Sequence, residues 1–283
     1  MRVNRSPWMA LVLAVACAGC YQDRNRSIEL MNHGVELGRQ KLFDSAVREL
    51  QQATQVDPTN HLAWYNLGKV HQDNKKWEDA AKAFGEAVKL EGDNANYHYE
   101  YGNALQESKQ LDKAQSEFAA AVKIDNKLYK AHYRLGTVLE GQEKYKEADA
   151  EYRAAIQANP RFVSPYIRLG YLYLDHDYDK EAVQVFQNAV LAAPDDGDAH
   201  LGLGLSLQQT KQYEEAVKEF KTALDKSPEL FLAVYNIGIT YKMMDQKKEA
   251  KEWLQRFITN AGSKGSPDLV KAASDSMYQL DAP

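Results

Sequence analysis

The sequence predicts an all-α fold: a solenoid of helix hairpins that ends in a capping helix. Three residue series, each stepping by 34, predict it. Glycine recurs at Gly34, Gly68, Gly102, Gly136, Gly170, Gly204 and Gly238, and alanine at Ala46, Ala80, Ala114, Ala148, Ala182, Ala216 and Ala250. A large apolar residue recurs at Leu50, Phe84, Phe118, Tyr152, Phe186, Phe220 and Leu254. Self-similarity at a fixed period of this length is the signature of a repeat array.

The N-terminus stands outside the period. Arg2 and Arg5 precede an apolar run over 8–16, and no acid interrupts them. The run is far shorter than the roughly 20 residues that cross a bilayer, so it fits the charged and apolar regions of a secretory signal. Ala18-Gly19-Cys20 follows and resembles the lipobox of bacterial lipoproteins, with Cys17 where a leucine is usual. That resemblance implies a signal peptide over 1–19 and lipidation of Cys20. Tyr21 is not the inner-membrane retention residue, so an outer-membrane anchor facing the periplasm is expected. Residues 20–26 are then a short flexible tether, spanning on the order of 15 Å.

From residue 27 the period is unbroken. A glycine inside a helix costs about 1 kcal/mol relative to alanine, so seven at one offset require a compensating gain. Close approach supplies it: without Cβ, the first helix of each unit can lie tightly on the second. In the second helix Ala80, Phe84 and Ala87 are spaced four and three apart and share one face. Pro58, Pro160, Pro194 and Pro228 close units, because proline pushes the residue before it out of the α region. A last helix is expected after Gly265, with Ser266 as N-cap and Pro267 at the first turn. Its face of Leu269, Ala273, Met277 and Leu280 would cover the end of the array.

Numbered from 27, 61, 95, 129, 163, 197 and 231, the units resemble the tetratricopeptide repeat (TPR). That family wants large, apolar, small and large residues at positions 4, 7, 8 and 11, then Ala, aromatic, Ala and Pro at 20, 24, 27 and 32. Unit five reads Tyr166, Leu169, Gly170, Tyr173, Ala182, Phe186, Ala189 and Pro194. The first and last units are degenerate, with His33 at an apolar position and Phe257 for Ala. The resemblance implies a right-handed superhelical solenoid over 27–264, with capping helix and tail over 265–283.

Composition limits the function. From Cys20 onward 33 Lys+Arg face 40 Asp+Glu, and an acidic chain is a poor nucleic-acid binder. Cys17 and Cys20 are the only cysteines, so no disulfide framework supports the body. No metalloprotease, phosphate-loop or serine-nucleophile motif is present, so neither catalysis nor a cofactor, metal or small-molecule substrate is expected. His98, His132 and His200 fall at position 4 and read as structural residues. Asp175, His176, Asp177 and Asp179 read as a solvated turn rather than a metal site.

What remains is surface. In the TPR family the first helices line a groove, which places Tyr65, Lys69, Tyr99, Asn103, Tyr133, Ile167, Tyr171, Leu174, Leu201, Leu205, Tyr235 and Ile239 there. These residues either meet a partner or pack between adjacent first helices. One TPR subclass clamps C-terminal carboxylates, but Glu100 and Tyr65 stand where it needs Asn and Lys. An apolar partner segment is therefore expected. The architecture of lipobox, short tether and repeats resembles the pilotin lipoproteins of type IV pili. That implies carrying an outer-membrane secretin and promoting its multimerisation. A periplasmic scaffold for peptidoglycan enzymes or outer-membrane protein assembly is the alternative.

Overall fold

A computed structural model describes the backbone of residues 7–261 and 267–281 and the side chains of 21–260 and 267–280. Arg2, Arg5 and Ser266 lie outside the described residues, as does the side chain of Cys20. Among the described residues every regular element is an α-helix.

The chain divides into two compact units. Unit one, Met1–Glu143, holds α1 (Pro7–Arg39), α2 (Phe43–Val56), α3 (His61–Asp73), α4 (Trp77–Leu90), α5 (Ala95–Glu107), α6 (Leu111–Ile124) and α7 (Tyr129–Gly141). Here α1 packs on α2, α3 on α4 and α5 on α6, and each hairpin lies against the next. Unit two, Lys144–Pro283, holds α8 (Tyr145–Ala158), α9 (Val163–Asp175), α10 (Asp179–Ala192), α11 (Gly197–Gln209), α12 (Tyr213–Lys226), α13 (Phe231–Met243), α14 (Lys247–Ala261) and α15 (Pro267–Asp281). Its hairpins are α9–α10, α11–α12 and α13–α14, and α15 closes on α14. The expected capping stripe of Leu269, Ala273, Met277 and Leu280 joins Leu254 and Phe257 in one cluster.

Inside each hairpin the glycines do what the period implied. A Cβ on Gly68 would lie 2.6 Å from the Phe84 ring, and one on Gly170 would lie 2.5 Å from Phe186. Ordinary carbon contacts sit near 3.5–4.0 Å, so only a hydrogen fits. The residues at positions 20, 24 and 27 are fully buried in units two to six of the array, from Ala80, Phe84 and Ala87 to Ala216, Phe220 and Ala223.

Two periodic devices carry no obvious sequence mark. First, Lys41, Lys75, Lys109, Glu143, Asp177, Lys211 and Asp245 all have φ between 56° and 65°. Each sits at position 15, just past a first helix, in the left-handed region that costs a residue with Cβ about 1–2 kcal/mol. Two backbone bonds offset that cost. At Lys75 they are Lys75 N–H to the Gln72 carbonyl, 2.9 Å, and Lys76 N–H to the His71 carbonyl, 2.8 Å, the Schellman closure of a helix end. Second, in repeats two to six the position-4 side chain approaches the position-32 carbonyl six residues before it. Trp64 Nε1 donates to Pro58, 3.1 Å, and the Tyr166 hydroxyl to Pro160, 3.2 Å. The Nε2 atoms of His98, His132 and His200 lie 2.9, 3.2 and 3.1 Å from the carbonyls of Gly92, Asn126 and Pro194. Nδ1 of His98 and of His200 is 2.6 Å from Glu117 and Glu219 respectively. The position-4 ring therefore latches the turn between repeats, which explains histidine there better than bulk alone.

The N-terminal segment differs from expectation. Tyr21–Arg26 are not a flexible linker but part of α1, which runs unbroken into the first repeat. Neither Gly nor Pro occurs between Cys20 and Gly34, so nothing interrupts the helix, and Arg26 pairs with Glu29 one turn on, at 3.8 Å. Among the described residues no helix is long and apolar enough to cross a membrane.

Candidate functional site

The candidate binding residues lie on the first helices, and each unit treats them differently. In unit one they are aromatic and polar. Tyr65 on α3 leans on Phe84 behind it, with ring centroids 5.6 Å apart, and stacks on Tyr97 of α5 at 4.8 Å. Tyr99 packs on Phe118 at 6.1 Å. Position 5 therefore serves its own hairpin first and shows only an outer edge. Burial, with the Glu100 carboxylate adding to it, pushes the Tyr65 phenol up to about 12, so its hydroxyl keeps its proton.

Beside these rings a polar ladder crosses from repeat to repeat. Lys69 Nζ reaches the Glu100 carboxylate at 3.3 Å, and Gln72 Nε2 donates to its other oxygen at 3.3 Å. Gln106 Nε2 donates to Thr137 at 3.5 Å. Lys69 is thus half engaged before any partner arrives. Asn103 is buried, and among the described residues its Oδ1 has no partner, nor do Oε1 of Gln72 and Gln106. Tyr133 on α7 is half-buried.

In unit two the same positions turn apolar. Ile167, Leu174, Leu205 and Ile239 are half-buried. Tyr171 meets Phe186 edge-on at 5.3 Å, and Tyr235 packs on Phe257 at 5.4 Å. Burial pushes Tyr171 up to about 12, with Asp198 and Asp196 adding to the shift, and burial raises Tyr235 as well. Leu201 departs from expectation. It is only 4% exposed and joins the cluster of Phe186 and Phe220. A leucine has no polar end to hold at the surface, so it sinks where Tyr65 and Tyr99 stay at the edge. It belongs to the core, not to a partner-facing row. Gln208 bridges to Thr240 at 2.8 Å beneath the row, a contact no sequence pattern announced.

Among the described residues no group of three or more His, Cys, Asp or Glu could hold a metal ion. The turn at Asp175, His176, Asp177 and Asp179 is exposed or half-buried. The first helices therefore offer rings, aliphatic edges and amide groups, which suits contact with another polypeptide.

Family models decide the class. A TPR repeat model matches residues 39–75, and tetratricopeptide repeat models match 61–94, 95–128, 129–162, 167–230 and 232–262. The chain belongs to the tetratricopeptide repeat family. Solved TPR structures share its fold. YrrB, a TPR protein with an unusual peptide-binding site, is 25% identical with a TM-score of 0.59; the match covers 69% of this chain and 99% of YrrB. The C-terminal part of a TPR repeat-containing protein from Cytophaga hutchinsonii is 14% identical, TM-score 0.70, over 87% of this chain and 99% of that one. Pseudomonas aeruginosa PilF is 16% identical, TM-score 0.60, over 81% and 99%. No curated protein sequence matches the chain.

Proposed function

We propose that this TPR protein is a lipid-anchored assembly factor. Its first-helix row takes an apolar segment of a protein partner, and an outer-membrane secretin is the partner to test first. The observation that carries the binding role is the half-buried row of Ile167, Tyr171, Leu174, Leu205, Tyr235 and Ile239 in unit two. Tyr171 and Tyr235 are of the residue type that dominates binding hot spots, and the aliphatic edges beside them offer apolar area that partner contact would remove from water. The peptide-binding description of YrrB, at 25% identity, supports a polypeptide ligand. The likeness to PilF speaks for the fold alone, so the pilotin role rests on the combination of Ala18-Gly19-Cys20 with a TPR array.

The anchor reading places Cys20 under lipid, in an outer membrane and facing the periplasm. Cys20→Ser should then release the protein from membranes; co-fractionation of the variant like wild type refutes the anchor. The partner is tested by crosslinking and mass spectrometry in native membranes, with wild type beside Leu205→Asp/Ile239→Asp. The expected result is a secretin crosslink that the double variant loses, together with loss of secretin multimers. Crosslinks to cell-wall hydrolases or barrel-assembly components would replace the secretin reading with a scaffold role. An unchanged crosslink pattern in the folded double variant rules out the row as the binding surface.

A further inference from the structure

Away from the first-helix row, unit two holds a ring-lined cavity of about 490 Å³ between the start of α8 and the end of α9. Its walls include Tyr145, Lys146, Asp149, Tyr173, His176 and Tyr178. Tyr145 and His176 touch with ring centroids 4.4 Å apart, and Tyr178 meets Tyr173 edge-on at 6.0 Å. The helix-end closure builds this arrangement. Asp177 takes φ 60°, and the Tyr178 amide donates to the Tyr173 carbonyl at 2.9 Å, so the chain folds back and carries Tyr178 over Tyr173.

The repeats serve as internal controls. At position 14, where repeat five has His176, the other repeats have Gln40, Asn74, Ser108, Gln142, Thr210 and Met244. At position 16, where it has Tyr178, they have Leu42, Lys76, Gln110, Lys144, Gln212 and Gln246. Mostly polar positions thus became rings in one repeat only. Packing does not require it, since Tyr178 is 56% exposed; Tyr145, from position 17 of repeat four, where Phe43, Trp77 and Tyr213 are also rings, completes the wall. The corresponding hollow one repeat later is lined by Asp177, Asp179, Lys180, Glu181 and Thr210, without a ring.

The remaining chemistry selects a ligand class. Asp149 is already taken: Arg153 Nε donates to it at 2.8 Å and the Tyr173 hydroxyl also donates to it, while the Arg153 guanidinium lies 5.9 Å from the Tyr173 ring centre. A cation would have to displace Arg153, and Lys146 is the single cationic wall residue. The walls thus hold one charge of each sign and favour a neutral guest. The Tyr145 and Tyr178 hydroxyls, both His176 ring nitrogens and the Lys146 ammonium make no hydrogen bond among the described residues. Flat apolar faces edged with unengaged donors and acceptors complement a pyranose, which has C–H faces and hydroxyl edges. The volume lies in the usual small-ligand range of roughly 300–1,000 Å³. We propose that this cavity is a subsite for a neutral oligosaccharide, separate from the protein-binding row and independent of it.

The test uses the full chain in a detergent without a sugar headgroup. Saturation-transfer NMR and calorimetry would follow an N-acetylglucosamine trimer and a glucose trimer as probes. Saturable binding of at least one trimer is expected, with Kd at or below about 1 mM. Tyr178→Ala and Tyr145→Ala should each weaken it about 3- to 10-fold, the range for losing one ring contact. Gln212→Ala, the position-16 change one repeat on, should leave it unchanged, and thermal melts would verify that all three variants fold. Absence of saturable binding by about 10 mM, or a Tyr145→Ala/Tyr178→Ala double variant that binds like wild type, overturns the subsite. Preferential binding of tetramethylammonium or phenylacetate overturns the neutral class. Either failure leaves the crosslinking experiment on Leu205 and Ile239 unaffected.

Discussion

Replacing Gly170 with alanine sets two opposing effects against each other. A helix-interior Gly→Ala change gains about 1 kcal/mol of helix propensity. Against it, the new methyl would stand 2.5 Å from two carbons of the Phe186 ring, which is fully buried. The ring has no room to retreat, because a Cβ on Gly202 of the next repeat would meet the same ring at 2.0 Å. Phe186 is thus held between two glycine gaps, one on α9 and one on α11. Overpacking a filled core costs about 1–3 kcal/mol, and this site belongs at the upper end. A net loss of about 1–2 kcal/mol follows, or a fall in Tm of roughly 2–4 °C per kcal/mol. Urea and thermal denaturation followed by circular dichroism measure it. Two variants make the cause identifiable. Gly141→Ala meets no atom within 4 Å, so it should be neutral or stabilising. Phe186→Leu introduces the residue found at the same position as Leu50 and Leu254, and should recover part of the Gly170→Ala loss, with a coupling of at least about 0.5 kcal/mol. If Gly170→Ala stabilises the chain as Gly141→Ala does, close helix approach is not why glycine stands at position 8.

His71 occupies position 11, where Leu37, Leu105, Leu139 and Leu207 stand in other repeats; it is buried, its Nδ1 has no partner among the described residues, and burial lowers its pKa. His71→Leu should stabilise by about 1–3 kcal/mol, the usual cost of an unsatisfied buried polar group. The gain should grow below pH 6.5, because the unfolded histidine takes up a proton that the folded one resists; equal gains at pH 5 and pH 8 count against this cause. The raised tyrosines act at the other end of the scale. Tyr65 and Tyr171 titrate near 12 when folded and near 10 when unfolded, so stability they contribute below pH 10 is lost as pH rises towards 12. Tyr171→Phe should flatten the fall in Tm over that range, and an unchanged alkaline slope would count against burial of this phenol.

The lattice of positions 8, 20, 24 and 27 was legible because each demands a residue type: no side chain at Gly68, a small one at Ala80, a ring at Phe84. Geometry that any residue can satisfy left no such trace. The left-handed turn residue is Lys, Glu or Asp in every repeat, since backbone bonds rather than glycine hold it. The position-4 latch is filled by Trp, Tyr or His, three side chains that share a ring donor but not a size. Leu201 lies below the row for a related reason: position 5 carries Tyr65 in one repeat and leucine in another, and the leucine has no hydroxyl that would need a partner on burial. The ring cavity leaves no mark in the sequence: His176 stands among acidic turn residues, and the cavity it shares with Tyr178 depends on the fold-back at Asp177.

The unbroken α1 gives the proposed anchor a further property. A slack tether would fix only a radius and leave the protein to tumble. A helix continuing from Cys20 into the first repeat also fixes the angle around the helix axis between the lipidated residue and that repeat's face. Each residue advances a helix by about 1.5 Å but turns it by about 100°. One residue inserted within 21–26 would hardly change the distance from Cys20 to the first repeat, yet it would swing that repeat's face about a quarter turn relative to Cys20. Two inserted residues would point it nearly backwards, and a full turn's worth would restore it. If α1 stays intact under the anchor, assembly activity should therefore vary periodically with insert length rather than decline smoothly.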